Sequence, residues 1–236
     1  YFDNSTGTIT KYIGSATELT IPSKINGVEV KDISDNVFLN CSSLNTVYVY
    51  NSSIDSSKFK ISDNGDLPKN VFYFDNSTGT ITGYDGSDAD VVIPSEIGGV
   101  KVTTIGSGAF KGNTSIQSVV IPKGVTSIGV STFKGCTSLT SIEIPDSVTF
   151  IYRFAFYNCT SLTSIEIPNS VTFIDDGAFY NCTSLTNIKI SKNVTSIGNC
   201  AFQRCTSLTS IEIPDSVTSI GNSAFNDCNS LDTVYV

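Results

Sequence analysis

Residues 144–166 read IPDSVTFIYRFAFYNCTSLTSIE, and residues 167–189 read IPNSVTFIDDGAFYNCTSLTNIK. The pattern recurs at a constant spacing of 23 residues, beginning at Ile121, Ile144, Ile167, Ile190 and Ile213. A fixed period of about 20 to 50 residues is the signature of a solenoid, in which each repeat forms one coil and neighbouring coils stack. We therefore expect an architecture that grows by adding coils rather than by enlarging one core.

Each regular coil contains a short strand that ends at a proline. Ile142 and Ile144 alternate with polar residues, which is the period of a strand with one buried face. Pro145 has no amide to donate to a neighbouring strand, so we place it at the end of the strand.

The rest of the coil returns to the core in two further steps. Val148 and Ile151 predict a second short extended piece. Ala155 and Cys159 stand four residues apart and can share one face of a single helical turn. The sequence therefore predicts an α/β repeat solenoid, rich in β-structure, whose coils each hold a strand, a turn, a second short strand and one helical turn.

The chain upstream of the regular coils contains two copies of a hairpin. The segment YFDNSTGTIT occurs at residues 1–10 and again at residues 73–82, and each copy turns at Asn-Ser-Thr-Gly. Each hairpin is followed by a lengthened lead-in centred on Asn26-Gly27 or Gly98-Gly99, pairs that suit a tight turn with positive φ. A first coil exposes unpaired strand groups, so terminal repeats act as caps. We predict that both hairpins are N-terminal caps.

The two hairpins divide the chain into two parts. We assign residues 1–72 to a first capped module that ends in a degenerate coil, and residues 73–236 to a second hairpin cap followed by the regular coils. Leu44 and Leu67 are again 23 residues apart, and the segment from Leu67 can serve as the next strand. This spacing favours one continuous solenoid over the alternative of two mobile domains.

Six of the seven cysteines occupy one slot of the repeat, namely Cys41, Cys136, Cys159, Cys182, Cys205 and Cys228. A free cysteine packs like a small apolar residue, so we interpret the series as a column of buried thiols. The alternative of disulfides between neighbouring coils is left open, because two cysteines whose Cα atoms lie within about 7 Å can be bridged. Cys200 lies outside the slot, and we expect it to be the most exposed thiol.

Composition and charge exclude several classes of protein. The chain carries a net charge of −8, which repels phosphate backbones, so we predict no nucleic-acid partner. No apolar run approaches the roughly 18 residues that a membrane helix needs, so we predict no membrane insertion. Because the chain begins at Tyr1 and shows no sorting signal, we interpret it as a mature or excised fragment whose targeting signal and anchor lie elsewhere.

The sequence predicts neither catalysis nor a bound cofactor or metal. Without histidine there is no Cys/His or Ser/His/Asp arrangement for nucleophilic catalysis. Zinc is disfavoured because no Cys-x-x-Cys pair exists. Asp85, Asp88 and Asp90, and the polar run at 63–66, lack the spacing of a calcium loop.

The repeat resembles the BspA-type leucine-rich repeat of bacterial and some protist surface proteins. The shared pattern is L-x-x-I-x-I-P-x-x-V-x-x-I-x-x-x-A-F-x-x-C, and one copy fills all of it with Leu162, Ile165, Ile167, Pro168, Val171, Ile174, Ala178, Phe179 and Cys182. The departures are Asn113 at the Cys slot, Thr132 at the Ala slot and Ser191 at the Pro slot, where we expect weaker packing. The resemblance implies a right-handed leucine-rich-repeat coil in a non-catalytic secreted or cell-surface protein that mediates adhesion to host matrix or other cells.

Two adjacent coils carry large side chains at positions that the core leaves free. The surrounding coils mostly have Ser or Gly there, and coils lie about 4.8 Å apart, so we expect these side chains to form one surface, the aromatic patch. It consists of Phe150, Tyr152, Arg153, Phe154, Tyr157, Phe173, Asp175, Asp176 and Tyr180. Exposed aromatic residues beside arginine are typical of protein-binding hot spots. The same side chains could instead only cover the turn side of the coils.

A second candidate surface is the outward column of the first strands, Tyr48, Val71, Val92, Val120, Glu143, Glu166, Lys189, Glu212 and Tyr235. Curved solenoids bind partners on this face. The C-terminal strand at 231–236 has no cap, which predicts further coils or self-association through that edge.

These observations and the resemblance predict a non-catalytic interaction module with an extracellular protein or glycan ligand. The alternative, from another class, is a structural spacer that projects an attached domain away from the cell wall. The two differ in whether the aromatic patch binds anything.

Overall fold

The computed structural model describes residues 1–38, 41–50, 53–54, 56–59 and 68–235, which form 24 short strands and one 3-10 helix at Ser56–Phe59. The first strands are β1 (Phe2–Asp3), β2 (Thr8–Ile9), β3 (Glu18–Ile21), β4 (Lys24–Ile25), β5 (Val28–Glu29), β6 (Asp32–Ile33), β7 (Thr46–Val49), β8 (Asn70–Asp75), β9 (Thr80–Gly86), β10 (Asp90–Val92), β11 (Glu96–Ile97) and β12 (Val100–Lys101). The regular coils add β13 (Thr104–Ile105), β14 (Ser118–Val120), β15 (Ser127–Ile128), β16 (Ser141–Glu143), β17 (Phe150–Ile151), β18 (Ser164–Glu166), β19 (Phe173–Ile174), β20 (Asn187–Lys189), β21 (Ser196–Ile197), β22 (Ser210–Glu212), β23 (Ser219–Ile220) and β24 (Thr233–Tyr235).

Each regular coil contributes one strand to each of two parallel sheets. The first strands form the front sheet, in three ladders (β10-β14-β16, β18-β20 and β22-β24), and the second strands form the back sheet, which is continuous from β13 to β23. Residues pair with their equivalents one repeat later, as Val119 does with Ile142 and Ile128 with Ile151. These side chains are buried between the sheets. The predicted strands and the 23-residue repeat are confirmed.

The predicted helical turn in each coil does not form. The amides of Phe154, Phe156 and Asn158 donate to carbonyls of the next coil, and only the intervening amides bond three residues back. Phe154 and Asn158 both have a left-handed φ of 59°. Such residues point alternate amides along the stack, whereas every amide of an α-helix points back to the residue four positions earlier. Hydrogen bonds between coils therefore replace those of a helix.

Both predicted hairpins form, but their role as caps is not confirmed. β1 pairs with β2, and β8 pairs with β9, in antiparallel fashion. The second hairpin lies inside a ten-stranded sheet, because β8 also pairs in parallel with β7 and β9 pairs in parallel with β13. The strand that we expected from Leu67 is thus the first strand of this hairpin and begins at Asn70; Leu67 itself lies outside the described residues.

The strands β7 and β8 are buried on both faces. Val47 and Val71 contribute to the core of the first part, whereas Tyr48 and Phe72 contribute to the core of the second part. The ten-stranded sheet therefore joins the first strands of the first part to the back sheet of the second part. This arrangement corrects the predicted front column: Tyr48 and Val71 are 8% and 2% exposed, and the exposed column begins at Val92, which is 66% exposed.

A column of aromatic rings runs through the core of the second part. Neighbouring ring centroids are 4.8 to 5.8 Å apart along Tyr48, Phe72, Tyr84, Phe110, Phe133, Phe156, Phe179, Phe202 and Phe225. Because each regular coil contributes one ring, every ring between the two ends of the column stacks on a ring of the coil before it and on a ring of the coil after it.

Five cysteines form a second column in the core of the second part, as predicted, namely Cys136, Cys159, Cys182, Cys205 and Cys228, whereas Cys41 is buried in the core of the first part. None of the seven cysteines, all of which lie in the described residues, is in a disulfide, and only Cys200 and Cys228 are half-buried rather than buried. Each thiol of this column donates to a phenylalanine carbonyl of the preceding coil, as Cys182 Sγ does to Phe156 O at 3.1 Å. Burial raises the pKa of the Cys136 thiol to about 12.

The serines and threonines of the repeat also join coils. The hydroxyl of Thr149 donates to the carbonyl of Thr126 at 3.2 Å, and equivalent bonds recur at other coils. Thr132, at the Ala slot, is fully buried and donates to the carbonyls of Gly129 and Gly106. This departure from the repeat is therefore accommodated by hydrogen bonds.

Candidate functional site

The aromatic patch lies on the back sheet and the adjoining turns of two neighbouring coils. Ile151 points into the core, so the alternation of a strand sends Phe150 and Tyr152 outward. Phe150, Tyr152 and Phe173 are 54%, 41% and 41% exposed, which is high for side chains of this size.

Exposure and ring contacts divide the aromatic residues of the patch into two groups. The outer group consists of Phe150, Tyr152 and Phe173 together with Arg153, and its first two rings stack at 5.8 Å with an interplanar angle of 21°. The turn group consists of Phe154, Tyr157 and Tyr180. The outer group is the more exposed of the two, since the side chains of the turn group are all half-buried.

The turn group is closed at both ends by cations. Tyr157 and Tyr180 stack face to face at 4.7 Å, with an interplanar angle of 3°. Lys134 Nζ lies 4.6 Å from the centroid of Tyr157, and the Arg204 guanidinium lies 6.0 Å from that of Tyr180. The broad faces of both rings are therefore occupied within the protein. Lys134 and Arg204 were not predicted as part of the site, although Lys134 shares the slot of Tyr157 one coil earlier.

The two aspartates of the patch accept hydrogen bonds from backbone amides of neighbouring coils. Asp175 Oδ2 accepts the amide of Arg153 at 2.9 Å, and Asp176 Oδ1 accepts the amide of Asn199 at 2.6 Å. Arg153 is exposed, and none of the three ion pairs found among the described residues includes its guanidinium. Arg153 is therefore an exposed cation without an ion-pair partner in the described part of the chain, on a patch that also carries the carboxylates of Asp175 and Asp176.

The front sheet presents a different surface. Val92 and Val120 are exposed at its start, and Glu166 forms a cross-strand ion pair with Lys189. A shallow open groove runs beside these strands, lined among others by Val120, Lys123, Glu143 and Asp146. Its charges are of both signs, and its carboxylates are solvated.

The described residues contain no group of three or more histidine, cysteine or acidic side chains that could hold a metal ion. Asp85, Asp88 and Asp90 are among the residues searched and form no such group, whereas the polar run at 63–66 lies outside the described residues. Within the same part of the chain, no helix has the length and apolar character needed to cross a bilayer.

Comparison with known proteins agrees with this geometry. Residues 2–79 and 103–232 match the family model described as a BspA type leucine rich repeat region, in six copies. No curated protein matches the sequence.

Several solved structures of bacterial leucine-rich-repeat proteins are similar to the chain. A protein from Eubacterium ventriosum is 21% identical, with 93% of this chain and 64% of that chain covered and a TM-score of 0.56. The pneumococcal vaccine antigen PcpA is 19% identical, with 93% and 56% covered and a TM-score of 0.53. A leucine-rich-repeat protein of T. pallidum is 35% identical, with 66% and 62% covered and a TM-score of 0.44. The chain spans less than two thirds of the length of each, and the first two share its fold.

Proposed function

Because the chain belongs to the BspA-type leucine-rich-repeat family, we propose that it is a non-catalytic interaction module that binds an extracellular protein through the outer group of the aromatic patch. Families of this type occur in bacterial surface proteins and are typically scaffolds rather than enzymes. A role in adhesion at the cell surface or after secretion is the function that best fits this background.

One observation carries the proposal: the outer group replaces small residues with exposed rings. The slot of Phe150 and Phe173 holds Ser127 and Ser196 in the coils on either side. The core does not require aromatic side chains there, since serine serves in the same strand position. Large exposed rings beside an arginine are what protein-binding hot spots use.

The proposal is tested by replacing Phe150 and Phe173 together with serine. The variant should bind immobilised extracellular matrix proteins and host cells at least tenfold more weakly than the unchanged chain, with the same far-UV circular dichroism. Val92→Ser, on the front sheet, is the matched control and should bind normally. Undiminished binding by the double variant would contradict the assignment of the aromatic patch as the binding site. The absence of any binding by the unchanged chain would favour a structural spacer.

A further inference from the structure

The strand β24 repeats the sequence of β7 rather than that of a regular coil. Residues 44–49 read LNTVYV, and residues 231–236 read LDTVYV. The first strands of the regular coils instead lead into isoleucine followed by proline or serine, as at 144–145. β7 and β24 therefore form a class of strand of their own, and β7 is followed by a hairpin rather than by a regular coil.

β7 and β24 are also joined to the preceding coil in the same way. The two successive amides at 45–46 donate to the carbonyl of Thr17, and the two at 232–233 donate to the carbonyl of Thr209. β7 then pairs in parallel with β3, and β24 pairs in parallel with β22, at equivalent residues. The inner edges of the two strands are therefore equivalent in sequence and in hydrogen bonding.

The outer edges of the two strands differ. β7 pairs there with β8 at four successive residues, and the Asn70 amide donates to Asn45 O at 3.1 Å. Within the described ranges, β24 pairs only with β22, and the carbonyl of Asp232, the counterpart of Asn45, accepts no backbone amide. An open strand edge is a template for one further strand.

The second hairpin buries the side chains of β7. Val47 and Tyr48 are 0% and 8% exposed, and the ring of Tyr48 stacks on that of Phe72 with centroids 5.8 Å apart. The equivalent residues of β24, Val234 and Tyr235, are 49% and 59% exposed. The same side chains are thus buried where a hairpin follows the strand and exposed in β24.

A further regular coil would leave Tyr235 exposed. The same slot of the regular coils holds Glu143 and Glu166, which are exposed although a coil lies on each side of them. Val120, an apolar residue in this slot, is also 49% exposed between two coils. The tyrosine of β24 therefore identifies a hairpin, rather than another regular coil, as the element that fits its outer edge.

The strand that covers β7 is apolar on both faces. In β8, Val71 and Tyr73 contribute to the core of the first part, whereas Phe72 and Phe74 contribute to the core of the second part. β8 also contains no proline, which would remove a donor from the ladder. The complement of β24 is therefore a hairpin whose leading strand carries apolar residues on both faces.

We propose that the outer edge of β24 is a docking site for a β-hairpin of the β8–β9 type on a partner polypeptide. The leading strand of this hairpin adds to β24 in parallel and covers Val234 and Tyr235. Backbone hydrogen bonds supply the affinity in such strand addition, and the side chains on the two faces select the partner. The site is separate from the aromatic patch, so the proposal goes beyond the proposed function.

The docking site is tested with the full chain and a synthetic hairpin of residues 70–86, whose paired ends are joined by a linker. Tyr235→Glu, which introduces the residue of the regular coils, should weaken binding of this hairpin at least tenfold. A Phe72→Glu change in the hairpin should do the same, because Phe72 stacks on the equivalent tyrosine of β7. Val120→Glu, in the same slot of an earlier coil, is the matched control and should bind normally.

Hydrogen exchange locates the bound hairpin. The amide of Val234 alternates with those that bond the preceding coil, so it points to the open edge of β24. The hairpin should slow exchange of this amide and leave the amides of the aromatic patch unchanged. Binding that neither glutamate substitution weakens, or protection elsewhere without protection of Val234, would overturn the proposal.

A fused hairpin removes the dependence on an isolated one, because two-stranded hairpins are only marginally stable alone. Residues 50–86, which follow β7, are attached after residue 236 of the full chain. The fusion should raise the Tm by several degrees, and the rise should vanish when both proteins carry Tyr235→Glu. Equal Tm values with and without the fused segment would overturn the proposal. Self-association of the unchanged chain through β24 that the hairpin does not displace would also overturn it, in favour of a second copy.

Discussion

At the scale of single residues, two features of each coil act along the stack rather than within the coil. Residues with positive φ, such as Gly135 and Asn181, direct amides to the next coil. Buried thiols, such as Cys182, direct a hydrogen bond to the coil before. Neither feature has a partner in an isolated coil, so both depend on the presence of neighbours.

The thiols should differ sharply in reactivity. Burial raises the pKa of the thiols of Cys136, Cys159, Cys182 and Cys205, so that little thiolate is present at pH 8. A disulfide reagent should label at most two thiols per native chain, Cys200 and Cys228, and all seven after unfolding. Cys200→Ser should remove one fast-reacting equivalent, and rapid labelling of four or more native thiols would contradict the buried column.

At a position with left-handed φ, substitution by alanine should lower the free energy of unfolding more than substitution by asparagine. Gly135 has φ +76°, and a Cβ atom there would meet no close contact, so Gly135→Ala isolates the conformational penalty. We expect a loss of about 1–2 kcal/mol in the free energy of unfolding. Gly135→Asn is the control and should be nearly neutral, because Asn158 and Asn181 hold the same slot in the next coils. Equal effects in urea unfolding would contradict this account.

At the scale of elements, the aromatic column couples successive coils through their largest buried side chains. Phe179 stacks on Phe156 at 5.3 Å and on Phe202 at 5.4 Å, with nearly parallel rings. The strands contribute only two or three residues per coil to each sheet. The phenylalanine is therefore the largest fully buried side chain through which each of these coils contacts its neighbours.

Truncation of a ring should have an effect that depends on its place in the column. Phe179→Ala should lower the free energy of unfolding by about 3–5 kcal/mol, because the ring is fully buried between two others. Phe225→Ala should cost less, because Phe225 is half-buried and is the last ring of the column. The comparison requires chemical denaturation followed by far-UV circular dichroism, and equal losses would show that the stacking is unimportant.

At the scale of the whole molecule, the ten-stranded sheet runs through both parts of the chain. β7 and β8 separate two cores and contribute side chains to each. The hairpin of β11 and β12 also reaches back, since the Tyr50 hydroxyl donates to Ile97 O at 3.2 Å. These contacts support our proposal that residues 1–72 and 73–236 form one continuous solenoid rather than two mobile domains.

The neighbouring glycines of this hairpin provide a matched test of the proposal. A Cβ atom on Gly98 would overlap the Tyr50 hydroxyl, whereas one on Gly99 would meet nothing; both residues have positive φ. Gly98→Ala should therefore destabilise the chain more than Gly99→Ala, and Tyr50→Ala should remove the difference. Unfolding should stay a single transition in the unchanged chain, and two separate transitions would favour independent domains.

The strands and buried positions of the regular coils could be predicted from the sequence, because similar residues recur in similar surroundings. Ile142, Ile165 and Cys182 could each be placed from the repeat alone. The helical turn was predicted wrongly because left-handed residues such as Phe154 and Cys200 are not marked by glycine. Tyr48 and Val71 were placed on the surface because strand alternation does not reveal that a second core covers the other face.

The candidate site was predictable in membership but not in organisation. The break in the repeat at Phe150 and Phe173 identified the exposed rings. The cations that close the turn group, Lys134 and Arg204, were missed because they belong to the coils on either side. Contacts between coils depend on the side-chain orientations of both coils, which a linear repeat does not specify.

The direction of the hydrogen bonds between coils has a mechanical consequence. These bonds run along the stack, so tension along that axis would load the bonds between every pair of coils equally, and the most weakly bonded pair would separate first. Each coil that detaches would release 23 residues, or roughly 75 Å of extended chain. A protein built in this way would lengthen in steps under pulling, and would yield first where the back-sheet ladder is shortest, between the coils of Ile151 and Ile174.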